Sequence, residues 1–203
     1  GLMQAQASRV LADLPVSCIK LGMLGSAAAV RAVVSSLASH QHLPVVLDPV
    51  LSANSGGSLA QGDLREALLA ALPQVSVITP NSVELRLLAN CQDLDQAVSR
   101  LTKAGANAIW LKGGHEPGKT LINALYVQGE LVMRSELRRL PGEFHGSGCT
   151  LAAALAAGLA AGLTLPAAIE QSQAFVSVAL EHADRPRDEG QWLPRRIINT
   201  WQR

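Results

Sequence analysis

Four short apolar runs recur along the first half of the chain, at Val16–Leu21, Val45–Leu47, Val75–Ile78 and Ala108–Leu111. Each is too short for a helix and is rich in branched or aromatic side chains, so each predicts a buried strand. Between them the apolar positions fall at helical spacing. The pattern predicts helices over about 3–13, over Ala27 to about Ser39 with Ser26 as cap, from Gly62 and Asp63 to about Ala71, from a Ser82 cap carrying Glu84, and over about 94–104. After the fourth strand the rhythm changes. Ala124–Val127 and Glu130–Met133 flank Gln128-Gly129 and predict a hairpin. Leu151, Leu155, Leu159 and Leu163 then mark one face of an Ala/Gly-rich helix. Thr164 caps a last long helix from Pro166 to about Ala183. A polar loop over Asp184–Gly190 and a short terminal helix follow.

The predicted strands begin about thirty residues apart, each interval holding at least one helix, which is the rhythm of βα units in a parallel sheet. The expected fold is therefore α/β, three layers αβα around a mostly parallel sheet, as a single domain over residues 1–203. Polar and glycine residues sit where strands end: Gly22, Asp48, Asn81 with Glu84, and Lys112 with Gly113 and Gly114. Ligands of open parallel sheets bind along that edge. Taken singly these residues have plain readings. Asp48 before Pro49 opens a turn, Lys112 is a solvated strand end and Glu84 a helix-surface carboxylate. Their coincidence on one edge points to a phosphate site.

A second feature supports the same chemistry. Phe144-His145-Gly146-Ser147-Gly148-Cys149-Thr150 leads into the leucine-faced helix. Its glycines permit a tight turn with outward-facing amides, and a helix N-terminus adds free donors and partial positive charge. Together they predict an anion site with Cys149 at its rim.

Composition narrows the functional classes. Of 203 residues 48% are hydrophobic, enough for a large core, and the net charge is +1 with no basic run. With aromatics at only 3%, neither a nucleic-acid surface nor a base-stacking platform is indicated. Cys18, Cys91 and Cys149 have neither disulfide nor zinc spacing and suggest a reducing cytoplasm. No stretch is suited to spanning a membrane, and the first residues lack a secretory pattern.

Four ordered motifs carry a resemblance: Leu47-Asp48-Pro49-Val50; Ile78-Thr79-Pro80-Asn81 with Glu84; Lys112-Gly113-Gly114-His115; and His145-Gly146-Ser147-Gly148-Cys149-Thr150. Lys20-Leu21-Gly22-Met23-Leu24 adds a fifth. The chain resembles, over essentially its whole length, the hydroxymethylpyrimidine/phosphomethylpyrimidine kinases of thiamine biosynthesis, within the ribokinase-like superfamily. That resemblance implies a cytoplasmic homodimeric enzyme, which uses ATP and Mg²⁺ to phosphorylate 4-amino-5-hydroxymethyl-2-methylpyrimidine and then its monophosphate. The family's domain opens with a strand and a glycine-rich, pyrimidine-binding turn that have no counterpart after Gly1. Phe144 stands where the family usually has threonine.

On this reading the amides of Gly146, Ser147, Gly148 and Cys149 receive the charge of the transferring phosphoryl group. Lys112, with Gly113, Gly114, Asn81 and His115, serves the nucleotide. Asp48 and Glu84 are hard oxygen ligands suited to Mg²⁺, chiefly through its waters. The resemblance makes Cys149 the base that accepts the substrate proton, and its place at a helix start favours a thiolate. Read without the family, Cys149 is simply a small residue in a crowded turn. His115 contacts nucleotide or caps its loop, His145 is positional, and Cys18, Cys91 and Trp110 are structural. A vitamin B6 kinase and a non-catalytic pyrimidine-binding module are the alternatives.

Overall fold

The structure, a computed structural model, describes residues 1–51, 62–187 and 189–197. Its elements run α1 (Leu2–Asp13), β1 (Ile19–Leu21), α2 (Ala27–Leu37), β2 (Val45–Leu47), α3 (Gly62–Ala71), β3 (Val77–Ile78), α4 (Ser82–Ala89), α5 (Leu94–Lys103), β4 (Ala108–Leu111), β5 (Thr120–Val127), β6 (Glu130–Arg138), α6 (Ser147–Ala160) and α7 (Leu165–Glu181). The six strands form one sheet in sequence order. β1 to β4 are mutually parallel, and the β5–β6 hairpin continues the sheet antiparallel to β4.

Alternation along each strand divides the core into two layers. Val45, Leu47, Ile78, Ile109 and Leu111 face α2 to α5, whereas Val46, Val77, Ala108 and Trp110 face α6 and α7. All these side chains are buried, as expected where helices cover both faces of a parallel sheet. Each contributes roughly 1.5–3 kcal/mol by leaving water if its size is that of valine or more. α6 and α7 pack closely because their contact is made of small residues. A Cβ on Gly158 would lie 2.9 Å from the Ala168 Cβ.

Some boundaries differ from the sequence expectation for local reasons. β1 and β3 are shorter, since Val16–Cys18 and Val75–Ser76 approach the sheet outside the strands. Asn81, not Ser82, caps α4. The leucine-faced helix starts at Ser147, so the Gly-Ser-Gly-Cys stretch is mostly its first turn, and it stops at Ala160. Leu163 therefore lies beyond the helix and is exposed, while Leu155 is fully buried. Gln128 and Gly129 both have positive φ, of 52° and 86°. This is the turn geometry that suits a two-residue hairpin. Residues 189–197 contain no helix; they run as an extended strap. The loop at Ser52–Gly57 and residues 198–203 lie outside the described residues.

Candidate active site

The ladder of the parallel strands continues past their ends and lines up the site. Asp48 N–H donates to Leu21 O at 2.9 Å, Thr79 N–H to Leu47 O at 2.8 Å, and Lys112 N–H to Pro80 O at 2.8 Å. Asp48, Thr79, Asn81 and Lys112 thereby arrive on one rim from β2, β3 and β4, the edge at which open sheets bind ligands.

Asp48 is the centre of that rim and is 1% exposed. Lys112 Nζ lies 2.9 Å from its Oδ1, and Lys20 Nζ lies 3.7 Å from its Oδ2. Thr79 Oγ1 donates to Oδ1 at 3.3 Å. Oδ2 is buried without a hydrogen-bond partner. Burial alone would raise the carboxyl pKa, but Lys112 above all, then Lys20 and the Cys149 thiol, hold it below its ordinary value. Lys20 Nζ is beyond hydrogen-bond distance of Oδ2, so this oxygen keeps acceptor capacity for a further cation or donor.

The N-terminus of α6 faces the same carboxylate. Gly146 caps it with φ of 79°, a conformation that favours glycine, and its side of the turn carries no side-chain cap. The amides of Ser147, Gly148 and Cys149 open the helix and have no partners within it. A Cβ on Gly148 would lie 3.4 Å from Lys112 Nζ, so the ammonium and these amides border one space. Cys149 is exposed, yet its thiol pKa lies above its ordinary value. Burial of the sulfur's surroundings and the charge of Asp48 raise its pKa, against the opposing pull of Lys20 and Lys112. Burial, and after it the Asp48 charge, thus work against the thiolate expected at a helix start.

Glu84 and Asn81 form a reciprocal capping box. Asn81 Oδ1 accepts from Glu84 N–H, and Glu84 Oε2 accepts from Asn81 N–H, both at 2.8 Å. Burial raises the Glu84 pKa, opposed by Lys112 and the Asn81 amide, with Asp48 raising it further. Both residues thus have a structural duty as well as a place beside the rim.

Gly113 has no room for a side chain: a Cβ would come 2.2 Å from Ile122 O. Its N–H donates to Asn123 Oδ1, Asn123 Nδ2 donates to Gln173 Oε1, and Ser135 Oγ donates to the same oxygen. Gly114 is open, with nothing within 4 Å of a would-be Cβ. Arg139 fastens the following loop by donating to Gly114 O, Glu116 O and Gly118 O. His115 is exposed on that loop. Partial burial, then Lys112 and Arg139, lower its pKa, with Glu116 opposing. His145 is exposed and its N–H donates to Trp192 O; Trp110 is core.

Sequence reasoning gave no site role to four contributors, although Lys20 stood in one of the motifs. Lys20 had a visible signal, a lysine inside an apolar strand, on the face opposite Ile19 and Leu21. Asn123 and Gln173 were polar residues within regular elements with no local sign of their partners. Arg196 lay in an unremarkable tail, yet its Nε donates to Thr150 Oγ1 at the start of α6.

The sequence profile of phosphomethylpyrimidine kinase matches residues 1–191. The chain belongs to the phosphomethylpyrimidine kinase family. A hydroxymethylpyrimidine/phosphomethylpyrimidine kinase of Rhizobium meliloti is 33% identical, over 91% of this chain and 71% of that protein. A thiamine biosynthesis multifunctional protein of Corynebacterium glutamicum is 38% identical over 98% of this chain, which spans only 28% of that longer protein. Among solved structures, the Staphylococcus aureus pyridoxal kinase in complex with pyridoxal superposes with a TM-score of 0.84 at 25% identity, covering 95% of this chain and 72% of that one. A Clostridium difficile phosphomethylpyrimidine kinase gives 0.72 at 24% identity, over 87% and 74%. The fold is ribokinase-like. No helix among the described residues is long and apolar enough to cross a membrane.

Proposed function

We propose that the chain is the ATP-dependent kinase domain that phosphorylates the hydroxymethyl group of 4-amino-5-hydroxymethyl-2-methylpyrimidine and then its monophosphate. The observation that carries this reading is the shared rim. The buried Asp48, the Lys112 ammonium and the free amides of α6 border one space, and the family match supports a pyrimidine as its substrate.

Phosphoryl transfer needs alignment and charge neutralisation. The amides of Ser147, Gly148 and Cys149 receive the transferring group's oxygens, and Lys112 turns from Asp48 toward the nucleotide phosphates. Gly113 and Gly114 let the phosphates approach the backbone after β4. The substrate hydroxyl gives up its proton to the Cys149 thiolate, which forms when the thiol releases its own proton to solvent; burial and the Asp48 charge oppose that form. Lys20 and Lys112 favour it.

The donor set also fits Mg²⁺. Asp48 offers an orphaned oxygen and Glu84 a second carboxylate half-committed to its cap. Two carboxylates would hold the ion chiefly through its waters, since no group of three or more acidic, His or Cys side chains suited to a metal occurs among the described residues. Mg²⁺ supplies positive charge at the phosphate oxygens when bound.

The second reading is a pyridoxal-type kinase. The higher TM-scores of the pyridoxal kinase structures favour it, and the sequence identities of 33–38% to thiamine-pathway proteins favour the pyrimidine. Both substrates present a hydroxymethyl group on a nitrogen heterocycle, so the phosphate chemistry is common to them. ATP consumption should be measured with each ring compound, using the wild type and Cys149→Ala. Turnover of the pyrimidine, lost in the variant while ATP affinity remains, is the expected result. Turnover of pyridoxal alone selects the second reading, and ligand binding without ATP consumption makes the protein a binding module.

A further inference from the structure

The strap formed by residues 191–196 is anchored at both ends of the loop that leads into α6. Trp192 N–H donates to Glu143 O at 2.8 Å and His145 N–H to Trp192 O at 2.9 Å. The Trp192 ring meets Phe144 edge-on with centroids 5.5 Å apart, and it lies against Gly142, where a Cβ would come within 3.3 Å. Arg195 N–H donates to Ala179 O on α7 at 2.9 Å. Phe144, the residue that departs from the family pattern, is thus half of an aromatic clasp.

Three arginines of this region are used differently. The Arg185 guanidinium stacks over Trp192 at 3.6 Å. Arg195 is neutralised by Asp184. Arg196 pairs with no carboxylate among the described residues. Its Nε donates to Thr150 Oγ1 at 3.0 Å, and its Nη2 lies 3.0 Å from where a Gly146 Cβ would stand. Thr150 Oγ1 in turn donates to Gly146 O at 2.7 Å. The clasp therefore delivers to the glycine that caps the anion-binding helix a guanidinium with no carboxylate partner among the described residues.

We propose that Arg196 is a phosphate ligand of this site, its Nη donors reaching the nucleotide phosphates beside Gly146. A guanidinium suits that task, because its planar fork can meet two phosphate oxygens at once. The inference rests on the kinase reading above.

Binding of ATP, ADP and adenosine should be measured by calorimetry on the full chain, with Arg196→Gln and Arg196→Lys, beside the apo melting temperature. Arg196→Gln is expected to weaken ATP and ADP about tenfold or more and to leave adenosine unchanged, with Arg196→Lys intermediate. The KM for ATP should follow these affinities. Wild-type ATP and ADP affinity in Arg196→Gln overturns the inference and leaves the kinase reading intact. Equal weakening of all three ligands with a lowered melting temperature also overturns it, since it assigns Arg196 a structural role. A wild-type protein that binds adenine nucleotides not at all overturns the kinase reading and this inference together.

Discussion

Lys112 Nζ stands 2.9 Å from Asp48 Oδ1, joining strand ends 64 residues apart in the chain. Both side chains are withdrawn from water, at 12% and 2% exposure. Removing one partner of such a pair leaves an uncompensated buried charge, whereas removing both does not. Lys112→Met should cost about 3 kcal/mol of stability, tempered by Lys20 at 3.7 Å. Asp48→Asn/Lys112→Met should recover about 1–3 kcal/mol of that in a double-mutant cycle. Urea denaturation gives the energies, and neither variant should turn over substrate.

Glu84 and Asp48 have opposite effects on pH dependence. The lowered Asp48 pKa contributes stability that is present above the ordinary carboxylate range and lost as pH falls through the folded-state value. The raised Glu84 pKa contributes stability that is present below that range and lost as pH rises through its folded-state value. Glu84→Gln keeps a capping-box side chain, so it should equal or exceed wild-type stability at neutral pH. Thermal melts from acid to neutral pH test this. If Glu84 also serves Mg²⁺, the same variant should need a several-fold higher Mg²⁺ concentration for half-maximal turnover. An unchanged Mg²⁺ requirement would reduce Glu84 to its cap.

Cys149 should alkylate slowly at neutral pH, because burial and the Asp48 charge raise its thiol pKa. Asp48→Asn removes the charge and should accelerate iodoacetamide modification of Cys149 several-fold, with the pH–rate profile shifted to lower pH. Peptide mass spectrometry separates this site from Cys18 and Cys91. An unshifted profile would mean that Asp48 does not govern the thiol.

The two glycines after β4 should respond in opposite ways to the same methyl group. Gly113→Ala forces a Cβ to within 2.2 Å of Ile122 O and should displace or unfold the turn. Gly114→Ala meets nothing within 4 Å and should fold like the wild type. Melting temperatures and ATP affinity for the two variants provide the comparison.

The legible part of the site was the part written in short spacings. Asp48, Asn81 and Lys112 could be placed at strand ends because the strands recur at βα intervals, and strand ends of a parallel sheet share an edge. Gly146 could be read as a helix entry because the apolar helical spacing begins just after it. The roles of Glu84 and Cys149 were less legible. Glu84 closes a capping box that its spacing from Asn81 already permitted, and the Cys149 thiol is shifted by burial and by a carboxylate 101 positions earlier in the chain.

By itself the sequence determined the periods: which runs become strands, which faces of helices are apolar, and where Gln128-Gly129 and Gly146 turn the chain. Those follow from backbone geometry and the local preferences of each side chain. Tertiary structure alone decided that Lys20 points at Asp48, that Asn123 and Gln173 hold Gly113, and that Trp192 clasps Phe144 to bring Arg196 to Thr150. Such pairings depend on how strands register and helices pack, which set distances between residues that have no local relation in the chain.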